Sequence, residues 1–370
     1  MFNGLARPFL IRREKNSPGN GDGRDAAAAM AKEAKKNDLI LRSSGCVNVD
    51  GSNNFVSVFS KRGQKGFNQD CAIVWEEFGC QADMLFCGIF DGHGQWGHYV
   101  AKKVRESMPS FLLCYWQEAL ASLGPDIDLG SDKKNQGFNI WKHAYTMTCA
   151  AVDQELQHCR KIDSFFSGTT ASTIVRQGEL IYVANVGDSR TVLATTSDDG
   201  SLVPVQLTID FKPNLPQEIE RITQCQGRVY CMDDEPGVHR VWLPDEESPG
   251  LAMSRAFGDY CIKDYGLISV PEVTHRHITS RDQFVVLATD GVWDVVSNQE
   301  AIEIVSSTPD RAKAAKHLVE CAVRAWKKKR GIAMDDISAI CLFFHSSPSS
   351  QSQLVSSAAA GKFYHHFNNK

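Results

Sequence analysis

The chain has 370 residues, 42% of them hydrophobic and 23% charged, with 40 basic against 44 acidic side chains and a net charge of −4. A chain of this length buries roughly 75% of its unfolded surface, so it needs no metal or disulfide staple to fold. The charge balance argues against a surface built to neutralise nucleic-acid phosphates, and no apolar run approaches the roughly 18–20 residues of a membrane span. Twelve cysteines are spread along the chain with no Cys-x-x-Cys pair, which speaks against a zinc ribbon and for a reducing compartment. The expected protein is soluble and monomeric, free of nucleic acid and membrane, and resident in cytoplasm, nucleus or both.

Residues 1–48 hold Gly, Asn and Ser clusters without sustained periodicity and are expected to be a disordered extension. Arg7, Arg12 and Arg13 faintly resemble an organelle transit peptide, but a disordered basic arm is the preferred reading. The apolar runs Cys71–Trp75, Met84–Phe90, Leu180–Val186, Phe284–Ala288 and Ile337–Phe344 are predicted as buried strands. Val100, Val104, Met108 and Phe111 predict one long helix, and Trp141, Tyr145, Val152 and Leu156 a second. Ser297 and Glu300 have capping-box spacing. Thr308 is predicted to cap a further helix with Pro309 at its first position, burying Ala315, Val319, Ala322 and Trp326. Lys327, Lys328, Lys329 and Arg330 are read as cations closing that helix, with Gly331 as C-cap, rather than as an import signal. The Ser/Ala-rich tail 346–370 is expected to be disordered. Grouped strands joined by short turns predict an α+β fold rather than alternating βαβ units.

Five of these runs carry an aspartate at one tip: Asp70, Asp91, Asp188, Asp290 and Asp335. Any one is adequately read as a turn residue. Together they form a pattern, because adjacent antiparallel strands can bring such tips to one edge. Carboxylates gathered there repel unless a cation holds them, and oxygen donors without Cys or His select Mg²⁺ or Mn²⁺. Two such ions suit in-line displacement at phosphorus, with a hydroxide nucleophile generated at the metals. His93, two residues after Asp91, is the candidate acid for the departing oxygen.

Asp91-Gly92-His93-Gly94, Ser167-Gly168-Thr169-Thr170-Ala171, Gly187-Asp188-Ser189-Arg190, Ser254-Arg255-Ala256-Phe257-Gly258-Asp259 and Asp290-Gly291-Val292-Trp293-Asp294 occur in one order along the chain. In this the sequence resembles the metal-dependent protein phosphatases of type 2C, in their plant branch, over residues 49–345. The resemblance implies a four-layer α-β-β-α sandwich with two antiparallel sheets and a flap over about 207–250. It implies a serine/threonine phosphatase acting on phosphoproteins through two Mg²⁺ or Mn²⁺ ions. It assigns Asp70, Asp91, Asp290, Asp335 and the Gly92 carbonyl to that centre, Asp188 and Asp294 to a third, weaker ion, and His93 to the acid. Asp91 and His93 would thus be the catalytic pair.

Three positions depart from the family pattern. Lys65 stands where many animal members have a phosphate-binding arginine, and a lysine cannot make the bidentate fork. Gln69 replaces a frequent glutamate. Tyr230, Cys231 and Met232 follow Gly227-Arg228-Val229 where the plant hormone co-receptors place a tryptophan, which separates this chain from that group. Trp242 and Trp293 are expected to pack rather than stack on a ligand.

Rival readings are weaker. Gly92-x-Gly94-x-x-Gly97 outlines a dinucleotide turn, but Asp91 would set a carboxylate beside the pyrophosphate. No Cys-x5-Arg loop, P-loop or calcium-hand spacing is present. A binding protein with this fold and no catalysis would not need the full set of aspartates and His93.

Overall fold

In this computed structural model, which describes residues 22–48, 55–122, 133–329 and 332–345, the alternation of side chains decides the layers. Along the strand Met84–Phe90, Met84, Phe86 and Phe90 enter one apolar cluster, while Leu85, Cys87 and Ile89 enter another. The strand Ile337–Phe343 does the same, with Ala339 and Cys341 on one side and Ile340 and Leu342 on the other. Strands apolar at every position are what a sheet covered on both faces requires.

The first sheet runs Ile40–Leu41, Cys71–Glu76, Met84–Phe90, Ala171–Gln177, Leu180–Val186 and Glu272–His277. The second runs Leu202–Gln206, Arg190–Thr196, Asp282–Ala288, Ile337–Phe343, Phe55–Lys61 and Gly45–Asn48. Every pairing within both is antiparallel. Val74, Ile89, Val183, Val285 and Leu342 fill the seam between the sheets. The helices α1 (Asp22–Lys36), α2 (Gly97–Ser122) and α3 (Lys133–Gln157) cover the outer face of the first. The helices Asn298–Ser306 and Ala314–Trp326 cover the second. The predicted four-layer α-β-β-α sandwich is the observed fold.

Two expectations are corrected. The segment before residue 49 is folded from Asp22 onward: α1 packs on α2 with Ala27 and Ala34 buried, Arg24 lies over the Phe111 ring and pairs with Glu155 of α3, and two short strands join the sheets. Thr308 does not cap the last helix. Its hydroxyl bonds back to the Ile304 carbonyl at 2.7 Å, Asp310 caps an intervening 3-10 turn, and the helix begins at Ala314. The Ser297–Glu300 capping box is present. Lys329 lies three residues past the end of the last helix, over the Trp326 ring, and its ammonium donates to the Asp294 carbonyl at 2.8 Å rather than to a carbonyl of that helix. The readings made on Arg7, Arg12, Arg13, Arg330, Gly331 and 346–370 lie outside the described residues. Among the described residues no helix is long and apolar enough to cross a membrane.

Candidate active site

The strand ends converge as the pattern predicted. Asp91 follows the first-sheet strand Met84–Phe90, and Asp70 precedes its neighbour Cys71–Glu76. Asp290 follows the second-sheet strand Asp282–Ala288, and Asp335 precedes its neighbour Ile337–Phe343. A cleft of about 720 Å³ opens here, lined by Asp91, Gly92, His93, Asp290, Asp294 and Asp335, with Lys65 on the rim. Asp70 and Asp188 lie behind that lining, both buried.

Electrostatics ties these groups together. Burial raises the Asp91 carboxyl well above the carboxylate range, and Asp290, Asp70 and Asp335 add to the rise. Burial likewise raises Asp290, reinforced by Asp188 and Asp335. Asp70 is pushed up to about 7 by burial, against hydrogen bonds from Ser338 and Thr289. Among the described residues no three His, Cys, Asp or Glu side chains stand ready to grip one ion. Two lysines take up part of the negative charge instead, Lys65 on Asp335 and Lys212 on Asp188. The donor set nonetheless fits a hard divalent cation: it is all oxygen, and one oxygen each of buried Asp70 and Asp188 has no hydrogen-bond partner.

His93 sits on a short strand, Gly92–Gly94, that pairs with Ser167–Thr169. Its Nε2 is 2.6 Å from Oδ2 of Asp259, and its buried Nδ1 has no partner. Burial lowers the affinity of the imidazole for a proton, but Asp259 outweighs this and the net pKa is raised. Two close approaches require glycine. A Cβ on Gly168 would fall 2.0 Å from Asp259 Oδ2 and 2.7 Å from His93 Nε2. A Cβ on Gly92 would fall 2.5 Å from the Gly97 carbonyl.

Three contributors escaped sequence reasoning. Asp336 accepts from the Gly63 amide at 2.7 Å and the Gln69 amide at 2.8 Å, pinning both ends of the loop that carries Lys65. Its signal was the Asp335-Asp336 doublet, of which only the first residue was read. Asp259 was visible in the Phe257-Gly258-Asp259 run but had no assigned role. Lys212 carried no local signal. Its contact with Asp188 and the field of Asp290 raise its pKa despite the opposing effect of burial. Gln69 turns its side-chain amide to the Gly94 carbonyl at 2.7 Å.

The flap forms the opposite wall. It holds the helix Pro216–Gln224 and the hairpin Arg228–Tyr230/Arg240–Trp242, and Lys212, Asn214, Val238 and Arg240 face the cleft. Trp242 stacks on Tyr230 and donates to its carbonyl at 3.1 Å, and Trp293 donates to the Ala288 carbonyl at 2.8 Å. Both are packing residues.

The Protein phosphatase 2C family model matches residues 56–330. The chain is 72% identical over 351 residues to "Probable protein phosphatase 2C 73" of Arabidopsis thaliana, covering 94% of each chain. It is 60% identical over 355 residues to "Probable protein phosphatase 2C 48" of rice, Oryza sativa subsp. japonica, covering 94% of this chain and 98% of the relative. The crystal structure of a serine-threonine phosphatase 2C from Toxoplasma gondii superposes with a TM-score of 0.73 at 25% identity, over 82% of this chain and 99% of that one. The fold, the acid-lined cleft and these likenesses agree: the chain belongs to the protein phosphatase 2C family and is a metal-dependent serine/threonine protein phosphatase.

Proposed function

We propose that the enzyme hydrolyses phosphoserine and phosphothreonine in proteins at a binuclear Mg²⁺ or Mn²⁺ centre held by Asp70, Asp91, Asp290, Asp335 and the Gly92 carbonyl. His93 is the general acid, and Asp188 with Asp294 holds a third, weaker ion. The observation that carries this reading is the delivery of Asp91, Asp290 and Asp335 from two different sheets into one cleft that also contains His93. When bound, the ions offset the carboxylate repulsion and acidify the water that attacks phosphorus.

The remaining steps belong to the chain. Asp259 engages Nε2 of His93 and supports its cationic form, the state from which a general acid protonates the departing serine or threonine oxygen. Lys65 is half exposed at the cleft rim, so phosphate oxygens compete with Asp335 for its ammonium group. The flap wall limits how a polypeptide can approach. The chain acts as a monomer, which sedimentation checks.

Purified protein with Mn²⁺ or Mg²⁺ should release phosphate from a phosphothreonine peptide, and Asp91→Ala should abolish that release. Full activity in Asp91→Ala would remove the metal assignment. His93→Ala should slow alkyl phosphate esters most and p-nitrophenyl phosphate least. Equal losses on both would remove the acid assignment.

A further inference from the structure

Among the described residues the exposed aromatic side chains are Phe67, Phe166, Phe165 and Tyr99, at 77%, 55%, 50% and 48% exposure. They are not scattered. Phe67 lines the catalytic cleft, and its ring lies 5.8 Å from His98. His98 lies 4.1 Å from Tyr99, and Tyr99 lies 5.5 Å from Trp96. The Trp96 amide donates to Ser167 Oγ at 2.9 Å, which brings in the neighbouring Phe166 and its edge-to-face partner Phe165. The Phe166 carbonyl in turn presses on Gly94, another cleft residue, where a Cβ would fall 2.4 Å away. The result is an aromatic rim in two groups, Phe67–His98–Tyr99–Trp96 and Phe165–Phe166, on either side of the Gly92–Gly97 turn and next to the cleft.

Contiguous apolar surface of this kind marks interaction sites, and Phe, Tyr and Trp are enriched in the cores of protein interfaces. The rim is also built to hold its shape. Asp336 pins both ends of the loop carrying Phe67, while Trp96 and Tyr99 flank the start of α2. A preformed platform loses little entropy on binding. The occupant follows from continuity with the cleft. A polypeptide that presents its phosphorylated residue there must run on across the adjoining surface. An extended chain advances about 3.3 Å per residue, so four positions on each side of the phosphorylated residue sweep about 13 Å of the surface adjoining the cleft.

We infer that this aromatic rim is a substrate-docking surface, selecting phosphoproteins with a large apolar or aromatic side chain within about four residues of the phosphorylated serine or threonine. The inference rests on the phosphatase reading above and adds its specificity.

The test uses the full chain with Mn²⁺ and three substrates. Two are phosphothreonine peptide series with either Phe or Ser scanned through the four positions on each side; the third is p-nitrophenyl phosphate, too small to reach the rim. At the preferred position the Phe peptide should exceed the Ser peptide in kcat/KM by about tenfold, through KM, as partial burial of one aromatic allows. The double variant Tyr99→Ser/Phe166→Ser should erase most of that preference, with small-ester turnover in the same sample reporting an intact site. Equal turnover of Phe and Ser peptides at every position overturns the proposal. So does a double variant that retains the full preference. Concentration-dependent self-association abolished by Tyr99→Ser would assign the rim to a second copy and also overturn it. Failure to hydrolyse any of the three substrates would overturn the phosphatase reading itself, a pattern distinct from hydrolysis without preference.

Discussion

His93 Nε2 lies 2.6 Å from Oδ2 of Asp259, a residue 166 positions further along the chain. Asp259 reaches it from a left-handed backbone conformation, with φ of 52°. Gly168 lies against both side chains and leaves no room for a Cβ. Asp259→Asn should therefore behave as a partial loss of the acid. We expect kcat/KM for a phosphothreonine peptide to fall about 10- to 100-fold, and that for p-nitrophenyl phosphate to fall much less. Gly168→Ala should show the same bias. Parallel kinetics on the two substrates check both variants.

Asp290 carries a second prediction, about metal and stability together. Burial and the neighbouring Asp188 and Asp335 oppose its charge, so without metal the ionised cluster works against folding. In EDTA, Asp290→Asn should melt at or above the wild type, by about 2–4 °C for each kcal/mol of repulsion relieved. With Mn²⁺ the order should reverse, because the variant gains little from the ion. Its phosphatase activity should drop about a thousandfold or more. Melting curves with chelator and with Mn²⁺ decide; an equal metal-induced rise in both proteins would exclude Asp290 as a ligand.

Glu218 predicts a pH effect on the flap. Its buried carboxylate opposes charging, but Arg221, Arg255 and Ser254 bind it at 2.6–2.8 Å and hold its pKa at about 2, against an ordinary 4.5. A depressed folded-state pKa stabilises fully above about pH 4.5, and the contribution is lost as pH falls toward 2. Glu218→Gln should cost about 3 kcal/mol near neutrality, with a smaller difference from wild type at pH 3. Urea midpoints at the two pH values measure it.

The N-terminal helix α1 predicts stability without chemistry. Ala27 is 1% exposed in the cluster shared with α2 and α3. Ala27→Glu forces bulk and an unpaired charge into that contact and should cost about 2–4 kcal/mol, while turnover of a small ester at 25 °C stays close to wild type. An unchanged melting temperature would show that α1 contributes nothing to the fold.

Strands such as Met84–Phe90 were legible because both their faces are buried, which writes the whole strand as one apolar word. The convergence of Asp91, Asp290 and Asp335 on one cleft was legible because each borders such a strand. The helix α1 was not, because small alanines are all it buries and its partners lie on α2 and α3, far along the chain. Thr308-Pro309 has the form of a helix start, yet the hydroxyl found a nearer acceptor in the turn just ended. Asp259 and Lys212 stayed silent for a related reason. Each meets its partner only through tertiary contact: Asp259 follows the strand Phe257–Gly258, which pairs with Ser167–Thr169, and Lys212 reaches Asp188 from the flap. Asp336 was hidden by its neighbour, since a doublet of acids does not say which one holds the amides of the Lys65 loop.

Asp70 and Asp91 border one sheet, Asp290 and Asp335 the other, and the two layers are joined by apolar packing along the seam and a few hydrogen bonds, among them Thr289 Oγ1 to Asp70 and Ser172 Oγ with Thr191 Oγ1. On the proposed reading, the two ions held among these four would clasp one plate to the other, and their grip would depend on how those plates are aligned. A methyl group lost deep in the seam, at Ile174 for example, lets the plates shift and should loosen the clasp without touching it. Affinity for Mn²⁺ thereby becomes a gauge of interior alignment, readable from a part of the molecule that no substrate ever meets.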